Sequence, residues 1–146
     1  MLYYEDIQLH QKLESRDFYI DKASLIAFAR QWDPQPVHTD EAAAQHYPTG
    51  LIGSSVQSYA IITKLLAELD TEAPAIIAGL GIDEWRMPTP LRPGDTVRAI
   101  SHVESKRESG SKPTLGILVS VSTLLNQRDE VILTYKSSGL IMKKPS

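Results

Sequence analysis

Residues 54–70, SSVQSYAIITKLLAELD, decide the fold. Apolar side chains run almost all round a helical wheel drawn from about Ser54 to Leu69, leaving Gln57, Lys64 and Glu68 on one narrow face. A surface helix buries a single stripe, whereas a helix apolar on nearly every side is stable only inside a protein. The rest of the chain therefore has to supply a wrapping for it.

The wrapping follows in four segments: residues 75–87 (AIIAGLGIDEWRM), 95–108 (DTVRAISHVESKRE), 114–126 (TLGILVSVSTLLN) and 130–142 (EVILTYKSSGLIM). All are rich in β-branched residues, and period-two alternation predicts strands. Ile117, Val119, Val121 and Leu125 share one face with Thr123, while Val131, Leu133, Tyr135 and Ile141 share another. One face of each strand should meet the helix. RPGD at 92–95 offers Pro93 and Gly94 where a type II turn uses them, and NQRDE at 126–130 is a short polar loop, so the connections read as hairpins of an antiparallel sheet. A long apolar helix inside a curled antiparallel sheet is an α+β architecture.

Upstream, a short strand ends near Ile20 and Asp21 can cap a helix whose apolar positions Leu25, Phe28, Ala29 and Trp32 keep helical spacing. Pro34 stops that helix, because the residue before a proline avoids the helical region. Thr39 or Asp40 can cap a brief second helix over DEAAAQH, with Pro48 and Gly50 as breakers before the long one.

The chain has 146 residues, 42% hydrophobic and 23% charged, the mix of a globular protein and the length of one domain, here 1–146. With a net charge of -3 and scattered Lys and Arg, it lacks the basic stripe that tracks a phosphate backbone, so nucleic acid is not an expected partner. The absence of cysteine excludes disulfides, thiolate nucleophiles and iron–sulfur ligation. MLYYEDIQLH carries acids where a signal peptide carries positive charge, and no apolar run approaches the ~20 residues of a bilayer span. The reading is cytoplasmic, with no membrane partner.

The loop WDPQPVHTD, residues 32–40, places Asp33 and His38 in a proline-stiffened stretch ahead of the long helix. A carboxylate and an imidazole together can hold and deprotonate a water. Fully extended, five residues could separate them by up to ~17 Å, so the loop must fold back for them to cooperate. Otherwise Asp33 only braces the loop and His38 satisfies a nearby backbone group. The second feature is GLIGSS at 50–55, where free N–H groups at a helix start favour developing negative charge. The plainer reading makes Ser54 or Ser55 an N-cap.

Other patterns carry less. Gly79-Leu80-Gly81 begins like a dinucleotide fingerprint, but Glu84 stands at the third glycine and prolines follow in place of a helix. The spacing of His38, Asp40, Glu41 and His46 matches no helical metal motif, and Ser54 and Ser55 lack the G-x-S-x-G elbow. No metal or other cofactor is expected. Lys106, Arg107 and Lys112 read as a solvated turn.

DPQPVHTD resembles the MaoC-like dehydratases, a family that includes the (R)-specific enoyl-CoA hydratases and whose pattern runs D-x-N-P-x-H. The likeness continues through FARQWDPQPVHTDEAAA, GLI before the long helix, and GIDEWRMPTPLRPGDTV, over most of residues 18–142. It implies a hot-dog fold, a homodimer or higher homo-oligomer, and reversible hydration of a 2-enoyl thioester carried on coenzyme A or acyl carrier protein. By position, Asp33 and His38 would direct the water and a backbone N–H at Ser55 would hold the thioester oxygen. The sequence departs from the pattern where the family's Asn is Gln35 and its helix-start Gly is Ser55. Gln35 lengthens the amide by a methylene, and Ser55 keeps the N–H but adds a side chain where the thioester approaches. The alternatives are a hot-dog acyl-CoA thioesterase and a non-catalytic acyl-thioester-binding module.

Overall fold

The computed structural model describes residues 1–145. The long apolar run forms α4, Ser55–Ala67, with Ser54 as its N-cap. Around it lies a sheet built from β3 (Ile76–Arg86), β4 (Thr96–Glu108), β5 (Leu115–Leu125) and β6 (Val131–Met142). Two short strands, β1 (Leu13–Glu14) and β2 (Phe18–Tyr19), both pair antiparallel with β4. The sheet order is β1-β4-β5-β6-β3, and every strand pair in it is antiparallel. Ile61, Ile62 and Leu65 of α4 are buried against Val97, Ala99, Leu124, Leu133 and Tyr135, which makes the helix–sheet interface the main core. Every one of these side chains gains stability from leaving water, at roughly 1.5–3 kcal/mol for a fully buried Leu or Ile.

Three smaller helices precede α4: α1 (Lys22–Trp32), α2 (Pro36–Thr39) and α3 (Glu41–Ala44). Asp21 caps α1 by accepting from Ser24 N at 2.9 Å, and Asp40 caps α3 by accepting from Ala42 N and Ala43 N.

One expected connection is corrected. Arg92–Asp95 does turn, with Gly94 at φ +85° and Asp95 N donating to Arg92 O, but it does not close a hairpin. β3 pairs with β6 and β4 with β5, so the chain crosses between them. On the way Leu91 is buried and its carbonyl accepts from Gly53 N at 2.7 Å, so the connection crosses at the start of α4 and is held there. The structure also shows which face of β5 meets the helix. Its apolar set, Ile117, Val119, Val121 and Leu125, is half-buried, while buried Leu118, Ser122 and Leu124 occupy the alternate face; Leu118, Ser120 and Ser122 line the cavity against α4. The 126–130 loop closes the β5–β6 hairpin, with Asn126 Oδ1 accepting from the amides of Arg128 and Glu130.

The N-terminal segment is structured. A 3₁₀ turn at Tyr4–Asp6 lays the Tyr4 ring on Gly116, where an ideal Cβ would stand 2.1 Å from a ring carbon, so only glycine fits. Lys106 is drawn into this contact rather than solvated: its Nζ donates to the carbonyls of Tyr4 and Ile7 and lies 4.9 Å from the Tyr4 ring centroid. No helix among the described residues is long and apolar enough to cross a membrane.

Candidate active site

The loop between α1 and α4 does fold back. α1 ends at Asp33, whose N–H donates to Ala29 O, and after Pro34 the chain turns into α2 with Pro36 at its first position, where a missing N–H costs nothing. His38 N donates to Gln35 O at 2.9 Å, which fixes the turn that brings the imidazole back toward Asp33. His38 Nε2 lies 3.5 Å from Asp33 Oδ2.

The other imidazole nitrogen assigns the tautomer. His38 Nδ1 is 2.8 Å from Ile52 O, and a carbonyl only accepts, so Nδ1 carries the proton and donates. In the neutral ring Nε2 then bears a free lone pair. Ile52 N in turn donates to Val37 O, so the pre-α4 segment and α2 clip each other in register. A 3.5 Å separation is too long for a good hydrogen bond, but it suits two groups that share one small polar guest.

Asp33 is held on both oxygens. Ser54 Oγ donates to Oδ2 at 2.6 Å and Gln35 Nε2 donates to Oδ1 at 2.7 Å. These bonds, the Ser54 hydroxyl first and the Gln35 amide second, hold the carboxyl below its ordinary range against the opposing effect of burial. The Asn-to-Gln departure from the family pattern thus leaves an amide that still reaches the carboxylate.

Ser54 is the residue that sequence reasoning missed. It was legible only as an N-cap, and it does accept from Val56 N at 3.2 Å, yet the same fully buried hydroxyl also donates to Asp33. Its neighbour Ser55 is the first residue of α4, so its amide is one of the helix-start N–H groups without an intrahelical acceptor. Gly53 sets where this helix begins: an ideal Cβ there would lie 2.8 Å from Leu91 Cδ2 and 3.3 Å from Leu25 Cδ1. The sequence-predicted residues therefore assemble as one cluster, with Asp33 and His38 facing each other and Ser55 adjoining the serine that touches Asp33. Among the described residues no group of three or more His, Asp or Glu side chains is placed to hold a metal ion.

The fold recurs among known proteins. The chain is 28% identical over 140 residues to the uncharacterized protein YdeM of Bacillus subtilis, covering 95% of this chain and 98% of that protein. Among solved structures, the MaoC-like dehydratase from Rhodospirillum rubrum superposes with a TM-score of 0.91 at 33% identity, covering 100% of both chains. The (R)-hydratase from A. caviae shares the fold at a TM-score of 0.72 and 24% identity, covering 97% of this chain and 99% of that one. Residues 6–123 match the MaoC-like domain, and with the helix-in-sheet architecture described above the chain belongs to that family and has its hot-dog fold.

Proposed function

We propose that the protein is a hydro-lyase that adds water to, or removes it from, a 2-enoyl thioester borne on coenzyme A or an acyl carrier protein. The observation that carries this reading is the pairing of Asp33 Oδ2 with an imidazole whose Nδ1 is tied to Ile52 O, so that Nε2 and the carboxylate can share one water. Family membership and the hydratase neighbour support a hydratase or dehydratase kind of chemistry.

The division of labour follows from the hydrogen bonds. Asp33 already accepts from Ser54 and Gln35, which lowers its affinity for a further proton. It orients the water and stabilises the imidazolium, while His38 Nε2 takes the proton as the water oxygen bonds to the β-carbon. The electron pair of the double bond moves toward the thioester, whose oxygen gains negative charge and is held by the Ser55 amide at the positive end of α4. The imidazolium then returns its proton to the α-carbon, which restores the site and leaves the 3-hydroxyacyl thioester. Dehydration runs the same steps backward.

The functional unit in this reading is a homodimer. β3 pairs with β6 along one edge, and among the described residues no strand pairs with its other edge. Ile76, Ile77, Leu80 and Ile82 are exposed on this strand. Such an edge invites a second strand, and a second copy of β3 supplies one with two-fold symmetry.

The test is absorbance of trans-2-enoyl-CoA at the conjugated thioester band, run beside a thiol-release assay. Loss of conjugation without free thiol, abolished in Asp33→Asn, is the expected result. Thiol release from a saturated acyl-CoA would establish a thioesterase instead, and binding of acyl-CoA without turnover of either substrate would establish a binding module.

A further inference from the structure

A sheet face that covers a buried helix is ordinarily apolar. Here its central band carries hydroxyls. Ser101 of β4 is the cross-strand partner of Ser122 of β5, and these two satisfy each other: their oxygens lie 2.9 Å apart and Ser101 Oγ donates on to Val121 O. Farther along β5, Ser120 and Ser137 of β6 are also direct cross-strand partners. Among the described residues neither of these hydroxyls has a protein hydrogen-bond partner.

Ser120 and Ser137 line a cavity of about 570 Å³, within the range of small-molecule sites. Thr63 and Leu66 of α4 also line it, and Leu2 and Ile7 of the docked N-terminal segment contribute to its wall. Thr63 lies eight residues beyond Ser55, about 12 Å of helix rise, a length that a medium-chain acyl group spans.

The lining argues for a particular tail. No Lys or Arg lines the cavity; the acids that do, Asp6 and Glu72, are ion-paired with Lys144 and the N-terminal amine, and His102 lines it with them, so hydroxyls make up most of the polar wall. A plain alkyl chain would displace water from Ser120 and Ser137 and return nothing to them, an unfavourable exchange. A neutral oxygen on the chain would accept from both.

We propose that this cavity receives the acyl tail and selects chains bearing a neutral oxygen function, hydroxyl or oxo, over plain alkyl chains of equal length. The inference rests on the reading of the protein as acting on acyl thioesters, and its test is built on binding so that the two can fail separately.

Calorimetric titration of the wild-type protein with decanoyl-pantetheine and with a hydroxydecanoyl-pantetheine, hydroxylated toward the far end, compares two ligands alike in thioester and length. The oxygenated ligand is expected to bind about tenfold more tightly, the size of one net hydrogen bond. In Ser120→Ala/Ser137→Ala the preference should fall to within about twofold, with the alkyl ligand bound at least as well as before. The single variant Ser137→Ala, which changes less of the wall, should lose part of the preference. Equal or tighter binding of the alkyl chain by the wild type, a preference that survives both substitutions, or no binding of either ligand would overturn the proposal. Failure of enoyl turnover with the binding preference intact would instead count against the hydro-lyase reading alone.

Discussion

Ser54 Oγ donates a 2.6 Å hydrogen bond to Asp33 Oδ2 while accepting from Val56 N, so a single buried hydroxyl both starts α4 and fixes the carboxylate. The helix that shapes the core and the group that faces His38 are therefore mechanically one unit. Substitutions at this point should move catalysis and stability together, and the pH dependence separates the two.

Ser54→Ala removes the first of the two donors that keep Asp33 below its ordinary range. The sign follows from linkage: a carboxylate depressed in the folded state stabilises the fold above its unfolded pKa, and that contribution is lost as pH falls through the folded value. Without the serine hydroxyl the folded value rises, so the acid-side inflection of both activity and thermal stability should move to higher pH. The variant should also lose about 1–3 kcal/mol at neutral pH from the cap and the charge-assisted bond. pH-resolved melting and kcat/KM profiles check both, and an unmoved acid inflection would leave Ser54 a cap and nothing more.

His38→Ala and His38→Gln should each reduce turnover by about 10²–10⁴-fold, the usual range for a positioned acid or base. The imidazole also holds Ile52 O, so lost activity has to be separated from a displaced loop. Circular dichroism and melting of both variants provide that control. A well-folded His38→Ala that hydrates crotonyl-CoA at the wild-type rate would remove His38 from the mechanism.

Gln35→Ala tests whether the longer amide does the work its position implies. It removes the 2.7 Å donor on Asp33 Oδ1 while leaving Ser54 on Oδ2. The expected result is a smaller upward move of the acid inflection than in Ser54→Ala, with Gln35→Asn intermediate. An unchanged pH profile in Gln35→Ala would make that amide incidental.

Much of this was legible in the chain. The apolar run at 54–69 announced a helix packed into the core and the β-branched segments after it announced its wrapping, but the polar face was misplaced: Gln57 is buried, while Val56 and Ala60 are exposed along with Lys64 and Glu68. Asp33 and His38 were visible as chemistry, but their approach depends on the α2 turn and on the Ile52 clip, which are tertiary facts. Ser54 was hidden because an N-cap already explains a serine at that place. The inward face of β5 was hidden for a different reason: alternation shows which residues share a face but not which face meets the helix, and here the aliphatic set is not the one lining the cavity. RPGD predicted a turn correctly and a strand pairing incorrectly, since turn chemistry is local and β4 finds its partner in β5.

Gly53→Ala isolates the packing that places the start of α4. The added methyl would come within 2.8 Å of Leu91 Cδ2, a flexible side-chain end, and 3.3 Å of Leu25 Cδ1, both on fully buried residues. Overpacking of this kind costs about 1–3 kcal/mol, read as a lowered unfolding midpoint. Leu91→Ala alone should also destabilise by leaving a cavity, at about 2–5 kcal/mol. In the double variant the new methyl partly fills that space, so the two losses should sum to less than their separate values. A double-mutant cycle measures the difference, and strict additivity would show that Gly53 and Leu91 do not share the constraint.

The exposed edge of β3 gives the prediction with the clearest physical contrast. Leu80 and Ile82 sit exposed on a strand with no strand partner on one side, and a lysine there is the device by which natural sheets block edge pairing. Leu80→Lys/Ile82→Lys should convert a dimer to a monomer in sedimentation while the melting transition of the fold persists, because neither side chain belongs to the main core. If turnover needs the assembled dimer, activity should fall with the dimer fraction and recover at high protein concentration, where mass action restores it. A wild-type protein that sediments as a monomer at micromolar concentration would refute the edge pairing outright. A monomeric but fully active double variant would show instead that Asp33, His38 and the Ser55 amide suffice within one chain.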